Sequence, residues 1–305
     1  MIDLDDIKKI TVGTDTIENE LTIEKKVSFS LLRLDKIDED ISGNKLFKLY
    51  LFLKKAAAAQ KKIITFGGAY SNHLAATAKA CKILSIPCIG IVRGEKPKLL
   101  SHTLLFCKQN GMQLKYISRE EYKTINSGYP SEELTGEFGN AVVIPEGGYS
   151  AEGAEGASLI SHYFADKDFT HICCPVGTAT TLAGLIKSSQ PSQKIIGFSA
   201  LKGTENIETR INLIPGFPMN KTNYSISNEY HFGGYAKKNQ ELITFMNTFH
   251  KEFTIPLDFV YTGKMMFGVF DSIKKNYFLQ GSKILCIHTG GLQGNLSLPA
   301  GALNF

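Results

Sequence analysis

Short apolar runs alternate along the chain with longer amphipathic runs, and this alternation constrains the fold more than any other feature. A bounded apolar run of about four to eight residues is typical of a strand that is buried on both faces. The runs of this kind are 62–66, 87–92, 113–117, 141–145, 171–176, 194–199 and 283–288. The runs with helical periodicity are 45–60, 71–84, 101–110, 151–164, 180–189, 236–252 and 263–275. This order predicts parallel sheets joined by crossover helices, which is an α/β fold.

Length and composition indicate a globular protein of more than one domain. The chain has 305 residues, of which 43% are hydrophobic and 21% charged, whereas an ordinary domain has about 150 residues. This composition excludes a disordered chain, a coiled coil and a collagen-like repeat. No repeat or low-complexity linker marks a domain boundary in the sequence.

Nucleic acid, membrane and metal are not expected as partners. The net charge is +5, but the lysine pairs are scattered and form no basic stripe with interleaved aromatics, so no nucleic-acid surface is predicted. The acidic start and the lack of an apolar run of about 18 residues predict neither a secretory signal nor a membrane span. The six cysteines form no Cys-x-x-Cys pair, which predicts buried free thiols, no structural zinc and a cytoplasmic location.

Four glycine-rich turns follow predicted strands or extended segments. They are 42–45, 67–73, 177–181 and 288–291. Ligands of α/β sheets bind beyond the carboxyl ends of the strands, so these turns together predict one shared site. Glycine is also ordinary turn punctuation, and that explains each turn taken alone.

Lys45 is the candidate nucleophile. Asn44 is predicted to cap the following helix, which places Lys45 in the first turn and on one face with Leu49, Phe52 and Ala56. The positive end of the helix dipole and partial desolvation would lower the pKa of its ammonium group, as an imine-forming lysine requires. The alternative is an ordinary surface lysine at the start of a helix.

The turn 177–181 is a candidate anion site. Its backbone N–H groups open a predicted helix, and the hydroxyls of Thr178, Thr180 and Thr181 add donors, so a phosphate is the natural ligand. No Gly-Lys-Ser/Thr follows, which excludes a Walker loop. A plain strand-to-helix turn explains the same residues.

Further candidates lie at another helix start and in two tyrosines. Ser71 and Asn72 either cap the helix that they open or bind a carboxylate or a phenolic oxygen. His73 has no second His or Cys at ligand spacing, so it is not expected to bind a metal. Tyr235 and Tyr261 follow turn-like or extended segments, where half-buried packing is the alternative to a functional role.

The motifs occur in a single order along the chain. They are Gly43-Asn44-Lys45, Gly67-Gly68-x-x-Ser71-Asn72-His73, the Gly177-Thr178 turn, Tyr261-Thr262-Gly263-Lys264 and His288-Thr289-Gly290-Gly291. In this order the chain resembles, from about Lys26 to Gly291, the pyridoxal-phosphate enzymes of the 1-aminocyclopropane-1-carboxylate deaminase and D-cysteine desulfhydrase family.

The resemblance implies a tryptophan synthase β-like fold, also called fold type II. Two domains with open, twisted, parallel-type sheets are flanked by helices, and the cofactor lies between them. A small α/β domain at 48–150 would be inserted into a large cofactor-binding domain formed by 1–47 and 151–305. The large apolar content favours a homodimer.

The resemblance also implies roles for the candidate residues. Lys45 would hold pyridoxal 5′-phosphate through an imine and move the α-proton of a small amino-acid substrate. Asn72 would hydrogen-bond the phenolic oxygen of the cofactor, and Ser71 would bind the substrate carboxylate. Tyr261 would stack near the substrate or cofactor ring, and Tyr235 would lie on the substrate side.

The remaining contacts follow from the same resemblance. The residues that would hold the phosphate are Gly177, Thr178, Ala179, Thr180 and Thr181. Thr262 matches the position that faces the pyridine nitrogen, Thr289 and Gly290 would line the same cavity, and His73 would lie near the substrate.

The sequence departs from the family pattern at four positions. Ala179 and Thr180 stand where glycines are usual, Phe47 where Arg is common, and Tyr70 where Gln is common. Glycine permits backbone conformations that Ala and Thr do not. The phosphate turn is therefore expected either to be built differently or to bind phosphate less tightly, and a different substrate preference stays open.

Thr262 favours one of the two reactions of the family. The ring-opening deaminases carry Glu there and the D-cysteine desulfhydrases carry Thr, whose hydroxyl would leave the pyridine nitrogen largely neutral. Elimination of a thiolate needs less electron withdrawal than ring opening, so we expect β-elimination from D-cysteine to pyruvate, ammonia and sulfide. The alternatives are ring opening of 1-aminocyclopropane-1-carboxylate to 2-oxobutanoate and ammonia, and a non-catalytic protein that binds pyridoxal phosphate or an amino acid.

Overall fold

Two sheets of parallel type form the framework of the protein. The computed structural model describes residues 7–38, 41, 43–126, 139–203, 207–214 and 221–305. The six-stranded sheet has the order β1-β2-β10-β7-β8-β9, with β1 Thr14–Ile17, β2 Ser28–Leu32, β7 His171–Val176, β8 Lys194–Ser199, β9 Tyr224–Ser227 and β10 Lys283–Ile287. The four-stranded sheet has the order β5-β4-β3-β6, with β3 Lys62–Gly67, β4 Cys88–Arg93, β5 Gln113–Ile117 and β6 Ala141–Ile144. Every pairing is parallel except β1 with β2.

Helices connect the strands, as crossovers between parallel strands require. They are α1 Glu20–Glu24, α2 Asn44–Ala58, α3 Asn72–Ile83, α4 His102–Gln109, α5 Arg119–Asn126, α6 Ala151–Ser158, α7 Thr180–Ser188, α8 Ile207–Asn212, α9 Gln240–Phe253 and α10 Thr262–Lys274. Within the described ranges, no helix is long and apolar enough to cross a membrane.

The structure confirms the predicted α/β fold and all seven predicted strands. Two helix predictions were wrong in their limits. The helix predicted over 236–252 begins only at Gln240, because Ala236 has a φ of 53° and Asn239 caps the helix by accepting from Leu242 N. The helix predicted over 151–164 ends at Ser158 and continues as a 3₁₀ turn, Leu159–Tyr163.

Close packing against α6 fixes the position of α2. The apolar face of α2 is buried, and Leu49 and Leu53 are fully inaccessible. A Cβ on Gly156 of α6 would overlap the carbonyl oxygen of Phe47, so only glycine permits this approach. Phe47 itself packs edge-on against Tyr163, with ring centroids 5.9 Å apart. The family departure at Phe47 therefore belongs to the core between helices.

All six cysteines are buried free thiols, as the sequence predicts. Three lie in the strands of the larger sheet, at Cys173, Cys174 and Cys286. Burial in apolar surroundings raises the pKa of the Cys107 thiol to about 12, which keeps that side chain protonated and inert.

A buried ion pair ties one edge of the larger sheet to the turn after β10. The guanidinium of Arg33 donates to Asp35 at 2.8 and 2.6 Å and to Asp15 at 2.6 Å. The Asp35 carboxylate also lies 3.4 Å from Nδ1 of His288. The side chains of Arg33 and Asp35 are each only 4% exposed, so these charges interact with little screening by water.

Replacing Arg33 with Met is expected to lower the free energy of unfolding by about 3 kcal/mol, because it removes the guanidinium that neutralises a buried carboxylate. Urea denaturation followed by circular dichroism measures this change. The double variant Arg33→Met with Asp35→Leu should recover more than half of the loss. A loss below about 1 kcal/mol in the single variant would contradict the assignment.

Candidate active site

A cavity of about 420 Å³ lies at the carboxyl ends of strands from both sheets. Each of the four glycine-rich turns contributes to its lining, and examples are Lys45, Ser71, Gly177 and Thr289. Ser42 of the first turn lies outside the described residues. The volume falls in the range of small-molecule sites, about 300 to 1,000 Å³, and the location is the one where α/β sheets bind ligands.

Lys45 presents its amine at the start of α2. The Nζ atom donates to Oδ1 of Asn44 at 2.7 Å and lies 5.9 Å from the ring centroid of Tyr261. Burial lowers the pKa of Lys45 to about 8, and the negative charge of Asp258 opposes that shift. This direction agrees with the lowered pKa expected from the sequence, and desolvation is its main cause.

Asn44 does not cap α2, and that prediction was wrong. The helix begins at Asn44 itself after Gly43, whose φ is 74°, and a Cβ on Gly43 would overlap the carbonyl oxygen of Thr289. The Asn44 side chain instead donates from Nδ2 to Oγ1 of Thr181 at 2.7 Å while its Oδ1 accepts from Lys45. It therefore links the lysine directly to the candidate anion turn.

All five residues of the turn 177–181 line the cavity. The turn ends in α7, whose first N–H groups have no intrahelical acceptors. Ala179 adopts a φ of 70°, so it takes the left-handed conformation that favours glycine, and Oγ1 of Thr178 lies 3.0 Å from Oγ1 of Thr180. A Cβ on Gly177 would lie 3.0 Å from the Tyr261 ring. The turn can therefore cradle an anion below that ring.

Lys48 is a lining residue to which the sequence analysis assigned no role. It is 5% exposed, and burial together with the charge of Lys45 holds its pKa well below the ordinary value for lysine. Its signal in the sequence is the spacing of three residues from Lys45, which places both on one face of α2. The amines of Lys45 and Lys48 beside an anion turn have the donor chemistry that a phosphate ester needs.

The start of α3 supplies a second set of polar groups. Ser71 caps the helix, since its Oγ accepts from Leu74 N at 3.2 Å, and it also lines the cavity. Asn72 lines the cavity beside it. The Asn72 amide accepts from Gln293 at 2.8 Å and donates to the carbonyl of Gly291 at 3.4 Å, so the turn after β10 fixes its orientation.

His73 is buried in the cavity wall with one ring nitrogen uncommitted. Its Nε2 lies 2.9 Å from Oγ1 of Thr65, whereas no described atom pairs with its buried Nδ1. Burial and the charges of Lys48 and Lys45 hold the pKa of His73 well below its ordinary value. The ring is therefore neutral at physiological pH. Because Oγ1 of Thr65 donates to the carbonyl of Ile144, it accepts from Nε2–H of His73, and the buried Nδ1 is left as an acceptor.

Tyr235 and Tyr261 meet on the opposite wall. Their ring centroids are 6.1 Å apart at an interplanar angle of 67°. Burial, with the neighbouring Tyr235 and Asp258, holds the pKa of Tyr261 well above its ordinary value, and burial also raises the pKa of Tyr235. Both hydroxyls are therefore protonated at neutral pH and can donate hydrogen bonds.

The structure does not bring every candidate to the cavity surface. Thr262 is fully buried and donates to Oδ2 of Asp258 at 2.6 Å, and neither Thr262 nor Gly290 is among the described residues that line the cavity. The hydroxyl-bearing residue that lines the cavity from the β10 turn is Thr289. The contact of Thr262 with a pyridine nitrogen stays a prediction.

Sequence reasoning also missed charged residues of the lining. Arg93 ends β4 and Glu146 follows β6, and both line the cavity together with Arg210 of α8. The carboxyl ends of predicted strands could have pointed to the first two. Tyr70, a departure from the family pattern, is 56% exposed and lies in the same wall, so this departure does alter the cavity.

A family model for pyridoxal-phosphate dependent enzymes matches residues 27–290. The chain belongs to this family. Its cofactor is pyridoxal 5′-phosphate, and the residues present fit that group: Lys45 offers an amine of lowered pKa, and the turn 177–181 with Lys48 offers a cradle for the phosphate.

The chain is also similar to individual relatives and solved structures of this enzyme family. The chain is 30% identical over 281 residues to the Arabidopsis thaliana mitochondrial bifunctional D-cysteine desulfhydrase/1-aminocyclopropane-1-carboxylate deaminase, covering 84% of this chain and 70% of the relative. It is 26% identical to a Yersinia enterocolitica D-cysteine desulfhydrase, with 82% of each covered. A crystal structure of an ACC deaminase homologue matches with a TM-score of 0.77 and 27% identity over 93% of this chain and 90% of that one. The fold is thus the tryptophan synthase β-like fold type II, as the resemblance implied.

Imine formation by the cofactor-free enzyme is expected to rise with pH and reach its midpoint near the pKa of Lys45, about 8, because only the neutral amine attacks an aldehyde. An ordinary lysine would give a midpoint near 10.4. Stopped-flow absorbance after addition of pyridoxal phosphate measures the rate at each pH. The control is Lys45→Ala, which should form no imine, and a midpoint above about 10 would contradict the assignment.

Proposed function

We propose that this enzyme catalyses β-elimination from a small D-amino acid with a thiol leaving group. D-cysteine and one water would give pyruvate, ammonia and hydrogen sulfide. The observation that carries the proposal is the Lys45 amine, which lies in one cavity with the turn 177–181 and Tyr261. Position 262 holds a threonine rather than a glutamate, which the resemblance associates with elimination. The relative from Yersinia enterocolitica is named for this reaction.

The cofactor would be held by groups from both sheets. Lys45 would bind it covalently, the N–H groups and hydroxyls of 177–181 would bind its phosphate, and Lys48 would add positive charge. Asn72 would bind its phenolic oxygen. When bound, pyridoxal phosphate supplies an electron sink for the negative charge that develops at the substrate Cα.

The substrate carboxylate would be held at the start of α3. The Ser71 hydroxyl lines the cavity there, and the positive end of the helix dipole favours an anion. Neutral His73 lines the cavity beside Ser71 and adds no charge. The contacts with α3 orient the substrate so that its Cα faces the amine of Lys45.

Proton transfer at Cα is assigned to Lys45. A group transfers protons best when its pKa lies near the working pH, and burial brings the pKa of Lys45 to about 8. Tyr261 and Tyr235 stay protonated because burial raises the pKa of each. Their hydroxyls can therefore donate hydrogen bonds to the departing sulfur.

Ring opening of 1-aminocyclopropane-1-carboxylate is the second candidate. The Arabidopsis thaliana relative carries both activities in its name. Both reactions use a small amino acid and the same cofactor, and they differ in the bond that breaks after the charge develops at Cα.

The purified wild-type enzyme is expected to show a visible absorption band from cofactor bound to Lys45, and the Lys45→Ala variant should lack it. Visible spectroscopy after dialysis of both proteins tests this. The matched control is Lys55→Ala, because Lys55 is an exposed lysine at the far end of α2. A band of equal strength in Lys45→Ala would exclude Lys45 as the attachment site.

D-cysteine is expected to yield pyruvate and sulfide in equal amounts, and Lys45→Ala should lower kcat by about a thousandfold or more, since it removes the group that moves the α-proton. L-cysteine and 1-aminocyclopropane-1-carboxylate are assayed in parallel. Release of 2-oxobutanoate from the latter, with no pyruvate from D-cysteine, would overturn elimination in favour of ring opening.

We further propose the domain division and assembly of the enzyme. Residues 48–150 would form the small domain, which is supported by the pairing of β3, β4, β5 and β6 with one another. A homodimer is supported by Leu99 and Leu105, apolar side chains that are 88% and 46% exposed. The buried free thiols support a reducing, cytoplasmic setting.

A further inference from the structure

The loop that carries Tyr235 has an unusual backbone. This tyrosine loop, residues 231–236, lies between β9 and α9. Phe232 and Ala236 have φ values of 51° and 53°, and Gly233 and Gly234 have values of 93° and 115°. For a residue other than glycine, the left-handed region is sterically unfavourable. Interactions outside the loop must therefore hold this conformation.

Lys264 of α10 supplies such an interaction. Its side chain is buried, with 1% exposure, and its Nζ donates to the carbonyl oxygens of Gly234 at 2.7 Å and His231 at 2.8 Å. A third carbonyl, that of Ala200 after β8, lies 3.5 Å away. The three N–H donors of the ammonium are thus matched to three carbonyl groups.

This ammonium joins the two tyrosines of the cavity. Tyr261 stands three residues before Lys264, at the start of the same helix, and Tyr235 follows directly after Gly234. The Gly234 carbonyl that accepts from Lys264 also accepts from the Lys237 N–H. One buried side chain therefore holds two points of the tyrosine loop, His231 and Gly234, against the helix that begins after Tyr261.

Stability alone does not explain a charge at this place. A buried ammonium costs free energy even when it is hydrogen-bonded, and an apolar side chain of similar volume is often equally stable or more so. Lys264 donates three directed hydrogen bonds, which an apolar side chain could not do. Those bonds hold the backbone that sets the distance between the Tyr235 and Tyr261 rings, 6.1 Å.

We propose that Lys264 is a positioning residue for the substrate side of the active site, and that its ammonium holds the tyrosine loop so that Tyr235 stays against Tyr261. The inference rests on the proposed function in one respect, since it takes Tyr235 to act on the substrate. Lys264 itself does not line the cavity described above.

The first test measures the loop without substrate. Trypsin cuts after lysine, and Lys237 and Lys238 are exposed directly after the loop. In the holoenzyme, Lys264→Met should speed cleavage after these two lysines at least tenfold, measured by mass spectrometry. The matched control is Lys221→Met, which removes an ammonium that donates to the carbonyls of Lys187 and Ser189 outside the cavity. An unchanged rate in Lys264→Met, or an equal rise in both variants, would overturn the proposal.

The second test is a double-mutant cycle on D-cysteine. Displacement of a substrate-positioning group by about 1 Å costs up to a hundredfold in rate, so Lys264→Met should lower kcat/KM ten- to a hundredfold. If Lys264 acts through Tyr235, adding Tyr235→Phe to that variant should change kcat/KM less than twofold beyond the larger single effect. The proposal would be overturned if the effects of Lys264→Met and Tyr235→Phe on kcat/KM multiply in the double variant. It would also be overturned if Lys264→Met alone lowers kcat/KM less than twofold.

Two further measures keep the outcomes distinct. The proteolysis test needs no substrate, so it decides the role of Lys264 in the loop even if D-cysteine proves not to be a substrate. If Lys264→Met does not fold by circular dichroism, Lys264→Gln replaces it, because its amide keeps two N–H donors. Lys264→Gln should fold and should speed cleavage after Lys237 and Lys238 by less than the tenfold expected for Lys264→Met. An unchanged cleavage rate in Lys264→Gln would count against the proposal.

Discussion

The buried carboxylate of Asp258 is the interaction on which the active site depends. Asp258 is fully inaccessible. One oxygen accepts from Val260 N at 3.0 Å and Tyr261 N at 2.8 Å, and the other accepts from the N–H and the hydroxyl of Thr262 at 2.8 and 2.6 Å. Four donors offset the cost of burying its charge. They also begin α10 and fix the backbone that carries Tyr261.

The same charge acts on the amines around it. Burial lowers the pKa of Lys45 and of Lys264 to about 8 each, and Asp258 opposes both shifts. For Lys48, burial and the charge of Lys45 act in the same direction and hold its pKa well below the ordinary value for lysine. One carboxylate thus makes the pKa values of neighbouring lysines differ.

Part of this site could be predicted from the sequence because it depends on short local patterns. The glycine-rich turns and Lys45 could be found, since each is a short pattern at a predicted strand or helix end. The strands β1, β2 and β9 were missed because their short runs, Thr14–Ile17, Ser28–Leu32 and Tyr224–Ser227, mix polar with apolar residues. Lys264 could not be assigned a role, because its ammonium bonds carbonyls of the tyrosine loop, which is distant in sequence. The bonds of Asp258 are local, but its burial depends on the packing of the whole domain.

The turn 177–181 shows how the structure accommodates Ala179 where the family usually has glycine. Ala179 takes the left-handed conformation at a φ of 70°, and its methyl group is 98% buried, leaving 2% exposed, within the core. Packing of that methyl offsets part of the strain of about 1–2 kcal/mol that the conformation carries. The hydroxyl of Thr181 is bonded to Asn44, which in turn holds Lys45. Through these two hydrogen bonds, Asn44 connects the turn 177–181 to the amine of Lys45.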